Sequence, residues 1–176
     1  METQQQEQKN FAQRNGALFS SAKEDWATPQ DFFDKLNEEF GFDLDPCASE
    51  ENHKCEHYFT KQENGLLKDW GGHCVFCNPP YGRVSTGEWI KKCAEEAKKP
   101  NTTVVLLIPA RTDTQAFHEY IYHKAEIRFV KGRLKFGGSK DAAPFPSMVV
   151  IFGKDNRNHE KKDCSSTDTH TEEKES

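Results

Sequence analysis

Long apolar runs are missing from this chain of 176 residues. Even the continuous stretch TVVLLIPA covers only residues 103–110, far short of the roughly 20 residues that cross a bilayer as a helix. No membrane partner is expected, and the polar, Gln-rich opening METQQQEQKN lacks the apolar centre of a secretory signal. The six cysteines therefore read as reduced thiols in a cytoplasm rather than as a disulfide framework. Internal repeats are also absent. So is an overall positive charge, since the formal net charge is −5.

That total hides a polarity along the chain. Residues 25–102 hold nine Lys/Arg against fifteen Asp/Glu, whereas residues 103–154 hold eight against four. The basic half centres on RFVKGRLKFGGSK, and a local field of this kind steers anionic partners whatever the whole-chain charge. A solvated charged face is the plain alternative. Residues 1–24 and 155–176 are too polar to bury surface that would offset the entropy of ordering. They are expected to be a flexible N-terminal segment and a disordered polar tail around one domain at 25–154. That length suits a single core.

Within the domain, TPQDFFDKLNEEF places Phe32, Phe33, Leu36 and Phe40 on one helical stripe, with Thr28 as cap, Pro29 at the first helical position and Asp31 completing a capping box. GFDLD is a short strand ending at Pro46. Residues 47–72 are irregular, and HCVFC is a strand. STGEWIKKCAEEAKK is an amphipathic helix with Ser85 and Glu88 at capping-box spacing and Trp89, Ile90, Cys93 and Ala97 facing inward. TVVLLIPA reads as a central parallel strand. TDTQAFHEYIYHK reads as a helix boxed by Thr112 and Gln115, and EIRFVKGRLKF and SMVVIFG as two strands. Alternating strands and helices imply an α/β fold with a mostly parallel, doubly wound sheet, closed by an antiparallel C-terminal strand pair.

Ligands bind at the carboxyl ends of the strands in such sheets. Three polar punctuations fall there: Asp45-Pro46, Asn78-Pro79-Pro80-Tyr81 and Pro109-Ala110-Arg111-Thr112-Asp113. The second suits transfer to an exocyclic amine, whose lone pair is delocalised until acceptors hold its N–H bonds. Asn78 offers a side-chain oxygen and Pro79 a main-chain carbonyl, and two prolines hold them with little reorganisation. Tyr81 offers a face for an extruded base, and Gly82 permits close backbone approach. Asn78 is no strong base, so the chemistry is orientation and charge stabilisation.

The Asn-Pro-Pro-Tyr motif resembles that of class I, S-adenosylmethionine-dependent amino-methyltransferases. The ordered set DWATPQDFF, FDLDPCAS, NPPYG, LLIPARTDTQAFH, GRLKF and APFPSMVVIF is similar to the phage DNA N-6-adenine methyltransferase (Dam-type) family across roughly residues 25–153. The resemblance implies an abbreviated Rossmann-like fold that methylates adenine N6 in DNA, with Asn78, Pro79, Pro80 and Tyr81 catalytic and a phage or prophage origin in a bacterial cell. It assigns S-adenosylmethionine to Thr28, Pro29, Asp45, Pro46, Cys47, Ala48 and Asp69. The chain departs from the pattern at the cofactor loop, where DLDPCASEEN holds no glycine. Only about 33 residues separate Asp45 from Asn78, too few for two intervening strand–helix units. No separate target-recognition domain is present, so DNA contacts are expected from Arg83, Arg111, Thr112, Asp113, Lys131, Arg133, Lys135 and Lys140, chiefly to phosphates.

Cys47, His53, Cys55, His57, His73, Cys74 and Cys77 invite a zinc reading. A Cys-x2-Cys pair on a strand points to opposite faces, however, and CVFC lacks the glycine of a knuckle turn, so no metal is expected. Two other functions stay open: an Asn-Pro-Pro-Tyr methyltransferase acting on RNA or protein glutamine, and a degenerate fold that only binds DNA. The sequence says nothing of oligomeric state.

Overall fold

The computed structural model describes residues 26–153; the expected flexible segment and polar tail lie outside them. The chain runs through helix α1 (Gln30–Phe40), strands β1 (Leu44–Ala48) and β2 (His57–Thr60), a 3-10 turn (Gly65–Leu67), β3 (Cys74–Cys77), α2 (Ser85–Glu96), β4 (Thr103–Pro109), a π turn (Phe117–Ile121), β5 (Glu126–Phe129), a 3-10 turn (Phe136–Gly138) and β6 (Ser147–Phe152). One sheet results, in the order β2-β1-β3-β4-β6-β5. β2, β1, β3 and β4 pair in parallel, and β6 runs antiparallel to both β4 and β5. This is the mixed α/β sheet expected, shortened between β1 and β3. A single strand, β2, fills that gap.

β4 explains the shape of the core. Buried on both faces, it sends Val104, Leu106 and Ile108 toward Trp70, Trp89, Ile90 and Cys93. Val105 and Leu107 pack with Phe33, Phe76 and Phe136 on the other side. Alternation within a wholly apolar strand thus serves two layers at once.

Several local expectations are corrected. α1 begins at Gln30, with Pro29 in the cap position and no side-chain cap, because the Thr28 hydroxyl is turned toward Asn78. Gly41 ends the helix in the left-handed region, its N–H on the Asn37 carbonyl at 2.8 Å. β1 does not stop at Pro46 but continues to Ala48. The register with β2 shifts between Asp45 and Ala48, which accommodates a residue that cannot donate to a ladder. Ser85 does not cap α2. Val84 holds that position, and the entry is closed instead by the Thr86 N–H on the Gly82 carbonyl. The helix expected after Thr112 is reduced to the π turn, entered through the Phe117 N–H on Thr114 Oγ1 at 3.3 Å. β5 is only four residues long, and residues 130–146 form a long loop instead of extending the strand.

Register fixes where these parts meet. Leu44 pairs with Val75, Cys77 with Leu106, and Pro109 with Ser147. The segments after β1, β3 and β4, together with loop 130–146, therefore share one rim of the sheet.

Candidate active site

Asn78 follows the buried end of β3 and is fixed at both ends of its amide. Its Nδ2 donates to the Trp26 carbonyl at 2.6 Å and to Thr28 Oγ1 at 2.8 Å. Its Oδ1 accepts from the Tyr81 hydroxyl at 2.6 Å. The same hydroxyl reaches the Leu107 carbonyl at 3.2 Å. Burial holds the Tyr81 phenol well above its usual pKa, so it remains a donor throughout the working range. Two acceptors and one donor leave a single amide orientation, with one lone pair of Oδ1 free. The Pro79 carbonyl accepts no hydrogen bond among the described residues.

Tyr81 is packed as well as bonded. Phe136 and Phe145 meet its ring nearly perpendicularly at 6.1 and 5.5 Å, and Trp26 meets the same two phenylalanines edge-on. The Gly137 N–H also bonds the Ala27 carbonyl at 2.8 Å. Loop 130–146 is thereby fastened to the segment that orients Asn78.

On the α1 side of this motif lies a pocket of about 40 Å³, bordered by Thr28, Asp45, Cys47, Lys54, Asn78 and Pro79 among others. Asp45 is 5% exposed. Its two carboxylate oxygens accept from the Cys47 and Lys54 backbone N–H groups at 3.3 and 3.1 Å. Burial outweighs these bonds and lifts the Asp45 carboxyl to about 6. Cys47 Sγ lies 3.8 Å from Cys77 Sγ, and burial raises both thiols. Cys74 Sγ instead donates to the Phe40 carbonyl at 3.3 Å.

On the α2 side lies a larger cleft of about 800 Å³, beginning at Tyr81 and Pro109 and including Arg83, Arg111 and Asp113 in its walls. Thr112 is exposed beside it. Lys131, Arg133, Lys135 and Lys140 are exposed on loop 130–146, without an ion pair among the described residues. Arg128 of the basic stretch is committed elsewhere, gripping Glu39 of α1 with both terminal nitrogens at 2.7 and 2.9 Å.

The structure thus brings Thr28, Pro29, Asp45, Pro46, Cys47 and Ala48 to the rim that carries Asn78, Pro79, Pro80 and Tyr81. Asp69 is not among them. It precedes the amino end of β3 and pairs with Lys99 at 2.7 Å. There it supports Glu96, whose carboxylate takes Lys92, Lys99 and the Trp70 N–H at 2.6 to 2.8 Å. The sequence reading missed Trp26, Asn52 and Lys54. Trp26 lies in the quoted DWATPQDFF stretch just before Thr28 and Pro29, which is a usable signal; Asn52 and Lys54 sit in an irregular polar stretch that carries none.

A mostly parallel six-stranded sheet with an antiparallel end, and an Asn-Pro-Pro-Tyr turn at the carboxyl end of β3, define a Rossmann-like methyltransferase. The chain belongs to the DNA N-6-adenine-methyltransferase (Dam) family, which matches residues 16–174. It is 31% identical over 140 residues to the DNA N-6-adenine-methyltransferase of Haemophilus phage HP1 (strain HP1c1), covering 75% of this chain and 80% of the relative. Over 111 residues it is 35% identical to the DNA N-6-adenine-methyltransferase of Escherichia phage T1, covering 62% and 45% respectively.

Proposed function

We propose that this chain methylates adenine N6 in DNA by holding an extruded adenine against the Asn78–Tyr81 turn. The observation that carries the reading is the locked Asn78 amide, whose Oδ1 keeps a free lone pair, followed in the chain by a Pro79 carbonyl that accepts no hydrogen bond among the described residues. Two rigid acceptors next to each other can take the two N–H bonds of an exocyclic amine and draw its nitrogen toward tetrahedral geometry. As the N–C bond forms, the donor's methyl–sulfur bond would break to leave a neutral thioether, and the cationic amine would then lose a proton to water, so no strong base is needed.

Its methyl source is S-adenosylmethionine, the usual donor of methyltransferase families, which supplies an electrophilic methyl on a sulfonium. The pocket residues fit its amino-acid end in kind: Asp45 offers a buried carboxylate to an ammonium, and Lys54 and Asn52 offer donors to a carboxylate. The pocket is open to solvent on one side, so the rest of the cofactor would extend beyond these residues. DNA phosphates would be met by Lys131, Arg133, Lys135 and Lys140 on the loop and by Arg83 and Arg111 at the cleft. The described residues include no helix long and apolar enough to cross a membrane, and the cytoplasm of a bacterial host, where phage DNA is found, is the proposed site of action.

Expression in cells that lack adenine methylation tests this. Sequencing of modified bases should reveal N6-methyladenine at a defined site with the wild-type chain. Asn78→Ala should lower turnover at least a hundredfold while the far-ultraviolet spectrum stays unchanged. Unmodified adenines with labelled RNA or protein would overturn the reading.

A further inference from the structure

The cleft on the α2 side is larger than the amine-holding turn requires. Its volume of about 800 Å³ lies in the range of small-molecule sites, and it opens from Tyr81, whose hydroxyl holds Asn78. Its lining includes apolar surface from Pro109, Ile90 and Ala116 and the ring of Tyr120. Arg111, Asp113 and Gln115 belong to the same lining, and among the described residues their side chains have no hydrogen bond or ion pair. Apolar and aromatic surface together with unspent donors and acceptors is the chemistry that takes a heterocyclic base: stacking on the one, edge recognition by the other. Glu119 and Tyr120 of the lining belong to the π turn Phe117–Ile121, a widened geometry frequent at functional sites.

We propose that this cleft receives a base of the DNA next to the target adenine and reads its edge through Arg111, Asp113 and Gln115. The proposal rests on the reading of the chain as a DNA adenine methyltransferase and supplies what that reading lacks, a place where the sequence around the target is recognised. Asp113 accepts from an exocyclic amine. Gln115 both donates and accepts. Arg111 offers a paired donor to two ring acceptors. Arg83, at the mouth, is left for a phosphate.

Gly87 supplies a second handle. It lies in the first turn of α2 and borders the cleft, and a Cβ there would meet only the Ala116 Cβ, at 3.8 Å. Gly87→Leu would therefore occupy part of the cleft beside Ala116 while improving the helix.

The test uses the purified full-length chain and duplex oligonucleotides carrying the preferred site, or that site with one flanking base changed. Wild-type kcat/KM should discriminate against at least one flanking change by tenfold or more. In Asp113→Ala, Gln115→Ala and Gly87→Leu that ratio should shrink by about fivefold or more. Overturning results are an unchanged ratio in all three variants with absolute rates falling in parallel, or no wild-type discrimination at the flanks. Absence of N6-methyladenine in every duplex with the wild-type chain would instead overturn the underlying reading, so the two failures are distinguishable.

Discussion

Asn78 is one residue whose behaviour depends on three others. Thr28 and Trp26 hold its nitrogen and Tyr81 its oxygen, so removing either side-chain partner loosens an acceptor that must stay still during transfer. Thr28→Val and Tyr81→Phe should each lower kcat by about tenfold, the worth of one orienting hydrogen bond. Thr28→Ser should restore the rate, and single-turnover kinetics would check it. Asp45 makes a different prediction. Its carboxyl is raised from 3.8 to about 6 by burial, so between those values the folded chain binds more protons than the unfolded one. Asp45's own contribution to stability is therefore greatest below about pH 4 and falls by roughly 3 kcal/mol as pH rises through 6. Asp45→Asn should remove most of that slope in denaturant titrations at pH 4 and 7. If Asp45 holds an ammonium, wild-type cofactor affinity should strengthen as pH rises through about 6, which calorimetry at pH 5 and 7.5 would reveal.

At the scale of elements, the tightest backbone packing lies beneath β1. Gly65 opens the 3-10 turn, and a Cβ there would stand 1.9 Å from the Pro46 carbonyl oxygen. The Trp70 indole N–H also bonds the Gly65 carbonyl at 3.0 Å. Gly65→Ala must displace β1 next to Asp45, so the melting temperature should drop and cofactor affinity with it. A variant with wild-type melting and binding would show that the turn yields freely. Such features divide what could be read in advance. β3, β4, β6 and α2 were legible because their apolar pattern is dictated by burial on one or both faces. β2 was not, because HYFT is an edge strand with an exposed first residue and carries little burial signal. The π turn was invisible for another reason: TDTQAFHEYIYHK has helical spacing, and only packing against α2 decides how many residues close the turn. Asn78 and Tyr81 stood out through their prolines and aromatic ring. That Thr28 would serve Asn78 rather than cap α1 is a long-range contact, which local propensity cannot express.

Across the whole molecule, charge is placed where the rim needs it, although the total is negative. Lys131, Arg133, Lys135 and Lys140 project from loop 130–146, whose Phe136 and Phe145 press on Tyr81. Replacing Arg133 and Lys135 together by Ala should weaken DNA binding almost uniformly across sequences. It should also reduce the slope of log affinity against log salt by about 2, measured by fluorescence anisotropy at several salt concentrations.

Tyr81 also borders the wide cleft while its hydroxyl grips a residue bordering the narrow pocket. That phenol-to-amide bond thus joins a residue of one chamber to a residue of the other. Whatever enters one chamber and shifts that bond alters the free energy of filling the other. Linkage makes the effect mutual: any factor by which DNA tightens the methyl donor is the factor by which the donor tightens DNA.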